Sequence, residues 1–485
     1  MKIVLLNGPC TKNFARTGRW QATSRGASLW YPIWLAACAS VLEDAGLETK
    51  LIDAPAYDYS LDRTISEIRD FSPQLCIIDT STSSINYDLE TAKQIKAMIS
   101  KSIKICLVGP HASALPEEVI SNENVDFVAI GEYDYTVRDL ARRLNKDPND
   151  NGEGVAGLWG KQKGGIIKNE KRPLIENLDE LPFASKIIFE QLDIRKYGLD
   201  FTLHPYMNIM TSRGCPYKCT YCLWPQTLSG GKYRERSLDH VFKEIDYVLR
   251  CQPKIREIFF DDDTFTVRLE RVKEFCERYI KGNYKIPFSV NARPTITDEK
   301  LLRLLKQAGL RCLVVGFESG DQGILDAVKK NTRLEEMKEF ARLCHKLRIQ
   351  VHGDFVFGLP GENHETIKNT TKFAKELSLS TFQLSIAMPL PGTEFYRWLD
   401  QNNYLVSRDF RDWIDANGRQ KCVINYPDLS NLAIEDSIAN SIKNYYFSWQ
   451  FMKSAFKQIL SNPSELKRYL WGGRRLFHYF YQRKI

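Results

Sequence analysis

Short apolar runs recur along this chain in two series, each run followed by an amphipathic stretch of helical period. That alternation limits it to architectures built on parallel sheets. In the first series strands are read at Ile3–Asn7, Thr49–Asp53, Leu75–Asp79, Ile103–Val108 and Asp126–Ile130. Helical stretches lie between them at Pro32–Ala45, Leu61–Phe71, Tyr87–Ile99 and Leu115–Ile120, with another at Tyr135–Leu144. Strands that lack a polar face need cover on both sides, so residues 1–145 imply a doubly wound, Rossmann-like sheet. Ligands of such sheets bind beyond the carboxyl ends of the strands. Small or polar residues follow those ends here, in Thr80-Ser81-Thr82-Ser83-Ser84, Gly109-Pro110-His111-Ala112 and Gly131-Glu132.

The polar run Asn145–Gly154 reads as a boundary. A hairpin is expected next, with arms Gly157–Gly160 and Gly165–Asn169, inside a connecting segment of residues 146–205. The second series fills 206–395, with strands at Asn208–Thr211, Glu257–Phe260, Pro287–Val290, Cys312–Phe317, Val351–Phe357 and Phe382–Met388. Helical patterns separate them, one of which, Gln322–Lys346, is expected to break near Asn331. Polar punctuation follows each strand: the loop of Cys215, Asp261-Asp262-Asp263-Thr264, Asn291-Ala292-Arg293, Glu318-Ser319-Gly320, Gly358–Glu362 and Pro389–Thr393. Chemistry placed after every strand describes a partial (β/α)6 barrel of TIM type, whose βα loops build the site. Six strands do not close such a barrel, which leaves a side opening for a bulky substrate. Residues 396–485 read as a mainly helical region.

Of the 485 residues, 43% are apolar and 26% charged, as in ordinary globular proteins. The first apolar run is too short for a signal peptide, and no apolar stretch reaches the roughly 18 residues of a membrane span. Twelve cysteines fit a reducing compartment, and Cys38, Cys76, Cys106, Cys312 and Cys344 sit among apolar neighbours. A cytoplasmic protein is expected. Between Lys453 and Ile485, eight Lys and Arg face one acid, Glu465. This is a local excess within a net charge of +8, and no nucleic-acid partner is expected.

The chemistry centres on Arg213-Gly214-Cys215-Pro216-Tyr217-Lys218-Cys219-Thr220-Tyr221-Cys222. Four thiolates complete an iron–sulfur cluster, whereas three leave one iron open to a cofactor or substrate. A structural zinc site is the bland alternative, but zinc wants a fourth Cys or His at short spacing. His204 and His240 lie outside any such spacing. The spacing C-x3-C-x2-C, with an aromatic before the last cysteine, resembles the cluster motif of the radical S-adenosylmethionine (SAM) superfamily. Val315-Gly316-Phe317-Glu318-Ser319-Gly320 is similar to that family's fourth-strand motif, and Gly358-Leu359-Pro360-Gly361-Glu362 to its fifth-strand motif. Gly109-Pro110-His111-Ala112 with Leu115-Pro116-Glu117-Glu118, and Gly131-Glu132-Tyr133, resemble elements of a cobalamin (B12) domain. Over residues 1–395 the chain is therefore similar to cobalamin-binding radical SAM proteins. Tyr31–Ala36, Leu203–Tyr206 and Cys222–Thr227 narrow the likeness to the branch with hopanoid-biosynthesis proteins and anaerobic magnesium-protoporphyrin cyclases.

The resemblance implies that Cys215, Cys219 and Cys222 hold a 4Fe–4S cluster whose open iron binds the amino and carboxylate groups of SAM. Electron transfer then splits SAM into methionine and a 5'-deoxyadenosyl radical. It further implies SAM contacts from Tyr221 near the adenine, from Glu318 to the ribose, and from Ser319 and Gly358 within their motifs. Tyr221 could also merely shield the cluster. Asp262 or Asp263 would accept a hydrogen bond from the SAM amino group; the sequence does not separate the two, and a solvated strand end is the other reading of the triplet. Arg293 would hold a carboxylate bidentately or form an ordinary loop salt bridge. Cobalamin contacts are expected from Thr82, Ser83, Gly109, His111, Gly131 and Glu132. The Asp-x-His-x-x-Gly signature of several cobalamin enzymes is absent at all seven histidines. Cobalamin is accordingly expected base-off and without a histidine ligand, and a doubly wound domain without B12 is the alternative.

Together these readings describe a cobalamin-dependent radical SAM enzyme that functionalises an unactivated carbon of a small-molecule or lipid substrate. The outcome is C-methylation or ring formation, with a reductant such as flavodoxin or ferredoxin as partner. A non-catalytic or sensory cobalamin/iron–sulfur protein is the alternative, though a sensor has no need of the Glu318 and Gly358 motifs. Aromatics among the basic residues of the tail suit an interfacial amphipathic segment or a lipid-facing lid in peripheral contact with a membrane, or else a packed helical cap with a solvated basic face.

Overall fold

The computed structural model of the protein describes residues 1–16, 21–24, 28–461, 466, 469–470, 472–474 and 477. The first sheet comprises β1 (Lys2–Asn7), β2 (Glu48–Asp53), β3 (Leu75–Asp79), β4 (Lys104–Val108), β5 (Phe127–Ala129), β6 (Leu158–Gln162) and β7 (Gly165–Lys168). Its order is β2-β1-β3-β4-β5-β6-β7, and β1 to β5 are parallel. All five residues of β3 are buried, as a strand covered on both faces requires. Strand order reverses between β1 and β3, which opens a crevice beyond their carboxyl ends. The hairpin expected in the connecting segment is β6 and β7, and it extends this sheet: β6 runs antiparallel to β5, with Trp159 opposite Val128.

The second sheet comprises β8 (Tyr206–Ile209), β11 (Glu257–Phe260), β12 (Phe288–Ala292), β13 (Leu310–Glu318), β14 (Gln350–Phe357) and β15 (Thr381–Ile386), all parallel and in chain order. A two-residue antiparallel ladder of β9 (Ser212–Arg213) and β10 (Arg234–Glu235) brackets the cysteine loop. β15 is not hydrogen-bonded to β8, so the barrel is open on that side. The amino end is plugged by Arg311 and Glu257, 2.9 Å apart and both buried, with the Leu203 N–H and the Ser289 hydroxyl also on that carboxylate. The helix expected over Gln322–Lys346 is two, Gln322–Ala327 and Leu334–Lys346. Lys329 and Asn331 between them take left-handed backbone angles, and the break turns Lys330 inward to Glu318.

After the barrel the chain returns to the first domain, where Phe410, Trp413 and Val423 join its core. Helix Asn431–Tyr446 lies against β15, and the Tyr446 hydroxyl accepts from the Phe382 N–H (3.1 Å) and donates to the Phe382 carbonyl (2.7 Å). Backbone groups on an otherwise open edge are thereby satisfied. Helix Trp449–Ser461 reaches the amino end of β15, where Gln458 donates to the Ser380 hydroxyl at 3.1 Å. This part of the tail sits at the barrel end opposite the cysteines, so it forms no lid over the mouth. Trp471, Tyr479, Phe480 and Tyr481 of the tail lie outside the described residues. Among the described residues no helix is long and apolar enough to cross a membrane.

Two buried ion pairs join the domains. Arg213, beside the cysteine loop, pairs with Asp134 at 2.8 Å, and Arg234 pairs with Glu132 at 2.7 Å. Trp34 packs against the Arg213 guanidinium at 4.4 Å and against Trp224 at 5.3 Å, while Tyr31 donates to the Tyr206 carbonyl at 2.8 Å. Three separate runs, Tyr31–Ala36, Leu203–Tyr206 and Cys222–Thr227, thus meet at one interface. Removing one partner of a buried pair leaves a bare charge and costs on the order of 3–5 kcal/mol. Arg213→Met is expected to lower the thermal unfolding midpoint sharply, and adding Asp134→Leu should recover part of the loss; a double variant worse than the single one would contradict this account.

Candidate active site

The cysteine loop is shaped by what surrounds it. Gly214 has a φ of +87°, and a Cβ there would meet the Lys232 carbonyl oxygen at 2.1 Å, so only glycine fits. Asp263 accepts from the Gly214 N–H (3.1 Å) and the Ser229 hydroxyl (3.0 Å). Asp262 is buried and accepts from the Thr211 N–H (2.5 Å), the Thr211 hydroxyl (2.6 Å) and the Ser212 N–H (3.0 Å). Burial pushes its carboxyl up, against those donors. Asp263 lines the site cavity and Asp262 does not, which corrects the expectation that either could face SAM. Asp262 holds the entry to the cysteine loop instead.

Cys215, Cys219 and Cys222 are free thiols lining one cavity of about 300 Å³. Arg293 stacks on Tyr217 at 3.8 Å, lies 4.0 Å from the Cys219 sulfur, and donates to the Lys330 and Asn331 carbonyls. Its contacts therefore differ from both expectations, being neither a carboxylate fork nor a loop salt bridge. Its Nε is buried without a partner. Among the described residues no three His, Cys, Asp or Glu side chains close around a single-ion position. A four-iron cluster instead takes its thiolates at separate corners, and three free cysteines on one cavity beside a cation suit that group.

Glu318, Lys330 and Tyr221 line the same cavity. Glu318 sits at a φ of +66°, and its carboxylate pairs with Lys330 at 2.6 Å in a buried contact. Burial, then the Glu318 charge, holds the Tyr221 phenol well above its ordinary range. Gly316 leaves room for this pair, since a Cβ there would lie 2.3 Å from the Glu318 carboxylate. Ser319 turns away from the cavity to Thr370, with the hydroxyls 3.1 Å apart. Gly358 donates to Glu362 (3.2 Å) and accepts from the Tyr426 hydroxyl (2.8 Å), while its neighbour Leu359 lines the cavity. Ser319 and Gly358 thus shape the wall rather than face the ligand space. Burial pushes the Glu362 carboxyl up to about 7.

In the first domain, Gly109 (φ +99°) lets β4 end against Asp79, because a Cβ there would lie 2.2 Å from that carboxylate. Burial pushes Asp79 up to about 7. The Thr82 N–H donates to Gln21, which lines the cavity of the cysteines, so that cavity reaches the crevice at the strand ends. Asp79 Oδ2, Ser83 Oγ and His111 Nε2 are buried there without partners, an arrangement that an amide-rich ligand such as cobalamin would satisfy. Gly131 lies at the same strand ends, its N–H on the Ser113 hydroxyl. Glu132 is spent on Arg234 and the Ile175 N–H, so its expected ligand contact is corrected to an interdomain clamp. His111 Nδ1 lies 3.2 Å from the Thr82 hydroxyl, its ring meets Phe410 edge-on at 5.0 Å, and burial lowers its pKa to about 3.

Four cavity residues escaped sequence reasoning: His352, Asp354, Gln383 and Ser385. Their signal was present as polar residues at alternate positions of β14 and β15, the period of one strand face.

A barrel with three cysteines at its mouth, facing a doubly wound domain, is the arrangement of a radical SAM protein with a cobalamin domain. The radical SAM superfamily matches residues 209–374, and the B12 binding domain matches residues 22–141. An uncharacterised methyltransferase of Pyrococcus horikoshii, PH0819, is 31% identical over 79% of this chain and 81% of its own length. The anaerobic magnesium-protoporphyrin IX monomethyl ester cyclase of Rubrivivax gelatinosus is 25% identical over 93% of this chain and 79% of its own. The cobalamin-dependent SAM radical enzyme OxsB, solved with aqua-cobalamin and SAM, shares the fold with a TM-score of 0.69 at 18% identity, covering 97% of this chain and 71% of OxsB. The chain belongs to the cobalamin-binding radical SAM family of methyltransferases and cyclases. Its cofactors are those of the family: an iron–sulfur cluster, SAM and cobalamin.

Because no histidine carries the Asp-x-His-x-x-Gly signature, cobalamin is expected to bind base-off and without a histidine ligand, even though His111 Nε2 has no partner of its own. His111→Ala should leave the visible spectrum of the bound cofactor unchanged; an altered cobalt coordination would show that His111 is a ligand.

Proposed function

We propose that this protein uses a 4Fe–4S cluster on Cys215, Cys219 and Cys222 to cleave SAM, and that it functionalises an unactivated carbon of a lipid or polycyclic substrate. The observation that carries this reading is the shared cavity: the three cysteines, Glu318 and Lys330 line it together, and Gln21 extends it to the first domain. When bound, the cluster supplies an electron to SAM and cobalamin supplies a methyl carrier or redox partner. Glu318, held by Lys330, offers a charged acceptor for ribose hydroxyls. Tyr221 and Leu359 offer apolar walls for an adenine, and Arg293 keeps positive charge beside Cys219. C-methylation and ring formation are both open to this site, in keeping with the methyltransferase and cyclase among its relatives. Phe201, Phe259, Val314, Val356 and Met388 line the cavity and suit an apolar substrate body. A cytoplasmic flavodoxin or ferredoxin is the proposed reductant.

Anaerobically reconstituted protein should carry one 4Fe–4S cluster and form 5'-deoxyadenosine from SAM on reduction. Cys219→Ala should lose both properties. SAM cleavage retained in that variant would overturn the assignment, as would zinc without iron in protein isolated anaerobically.

Contact with a membrane is a second, separable proposal. Trp449, Met452, Phe456 and Leu460 are exposed at helical spacing on Trp449–Ser461, beside a tail with eight basic residues. Lys and Arg near an anionic surface contribute about 1 kcal/mol each. Because this helix lies at the amino end of β15, contact would tether the protein without feeding the cavity. Truncation after Tyr446 should therefore weaken sedimentation with anionic vesicles while SAM cleavage persists; sedimentation unaffected by truncation would remove the proposal.

A further inference from the structure

On the wall formed by β14 and β15, the cavity carries polar side chains that neither hold the cysteine loop nor face Glu318. The two strands are parallel neighbours, with His352 beside Thr381, Asp354 beside Gln383 and Val356 beside Ser385. His352, Asp354, Gln383 and Ser385 all line the cavity. His352 is fixed: its Nδ1 lies 2.6 Å from the Thr381 hydroxyl, its ring lies 4.8 Å from that of Phe201, and it is almost wholly buried. Its Nε2 lies 3.3 Å from Asp354, whose side chain is 31% exposed.

The other acids on this cavity are already engaged. Asp261 accepts from Asn208 and Asn291, Asp263 from Gly214 and Ser229, and Glu318 pairs with Lys330. Asp354 meets His352 through one carboxylate oxygen, which leaves the other for a guest, and the Gln383 and Ser385 side chains make no hydrogen bond with any described residue. A half-enclosed carboxylate beside an amide and a hydroxyl, on a wall that a rigid imidazole holds in place, is organised for a polar guest. β15 borders the open side of the barrel, so a substrate entering there meets this wall.

Resting on the radical SAM reading, we propose that His352, Asp354, Gln383 and Ser385 form a recognition subsite for an O–H or N–H donor on the substrate. The donor would be a hydroxyl or an amine, bonded to the Asp354 carboxylate. His352 is a positioning residue, while Gln383 and Ser385 complete the polar wall. The substrate class is thereby narrowed from any lipid or polycyclic compound to one with a polar donor near its reacting carbon.

Two readouts separate this role from a SAM contact. Purified, cluster- and cobalamin-loaded protein is assayed for 5'-deoxyadenosine formation from SAM with dithionite and no substrate. In parallel, a deletion strain is profiled for its missing metabolite and complemented with each variant. Asp354→Asn should still cleave SAM yet restore the metabolite about tenfold less than wild type, because a site built to bond a donor discriminates strongly once its acceptor is changed. Asp354→Glu should recover part of the function, and Gln383→Leu should give the same split through an independent change. Full restoration by Asp354→Asn would overturn the subsite. So would loss of SAM cleavage in that variant with cofactor content intact, or a precursor without any O–H or N–H group. Wild-type protein that cleaves no SAM would instead overturn the underlying enzyme reading, and this inference with it.

Discussion

The pairing of Arg213 with Asp134 and of Arg234 with Glu132 sets the geometry on which the site depends. Arg213 and Arg234 belong to β9 and β10, the ladder that brackets the cysteine loop, and both acids follow the carboxyl end of β5. The same charges that hold the domains together therefore fix the loop that carries the sulfurs. The pairs are buried, so each carboxylate must be met by a guanidinium fork rather than by water. Burial opposes the charge on Arg213, and the acids beside it outweigh that effect, raising its pKa. Such pairs contribute little net stability over an apolar contact, yet they tolerate only one arrangement. Here that arrangement turns the carboxyl ends of both sheets toward one cavity.

Within the barrel, polarity is distributed by task. At the amino end Arg311 and Glu257 form a buried ion pair, away from the cavity of the cysteines. The loop after β11 divides its aspartates: Asp262 secures Thr211 and Ser212, Asp263 secures Gly214, and Asp261 meets Asn208 and Asn291. Three adjacent carboxylates are tolerable because each points to a different set of donors. The left-handed backbone at Glu318 depends in turn on Lys330, which the helix break at Lys329 and Asn331 turns inward. A strained residue persists when its surroundings hold it, and strain of this kind gathers at functional sites.

Much of this was legible in the sequence. The two strand–helix series, the open barrel and the break near Asn331 follow from periodicity and punctuation, because buried parallel strands leave an unmistakable apolar run. The cysteine spacing pointed to a loop that the fold places on the cavity at the barrel mouth. Individual contacts were less legible. A motif says which residues lie near a ligand, but not which side chains the fold has already spent: Glu132 and Asp262 look like ligand contacts in sequence and are structural acceptors in space. The residues of β14 and β15 were missed for the opposite reason. They belong to no motif, and an alternating polar strand in a barrel reads equally well as a solvent-facing edge until the sheet's curvature is known.

The polar wall of β14 and β15 also bears on how the barrel remains open. An unpaired edge invites further strand pairing, and among the described residues no strand pairs with the outer side of β15. Helix Asn431–Tyr446 meets that risk at one point, where the Tyr446 hydroxyl bonds both backbone groups of Phe382. With this edge satisfied by a side chain, the barrel gains cover without the closing strand that would seal the entrance. The inward residues Gln383 and Ser385 can then face an accessible cavity while Phe382 and Leu384, of opposite parity, stay packed in the core. The opening is thus bordered by an edge that a side chain covers at Phe382, and its polar lining is a consequence of strand parity at the edge where a substrate would enter.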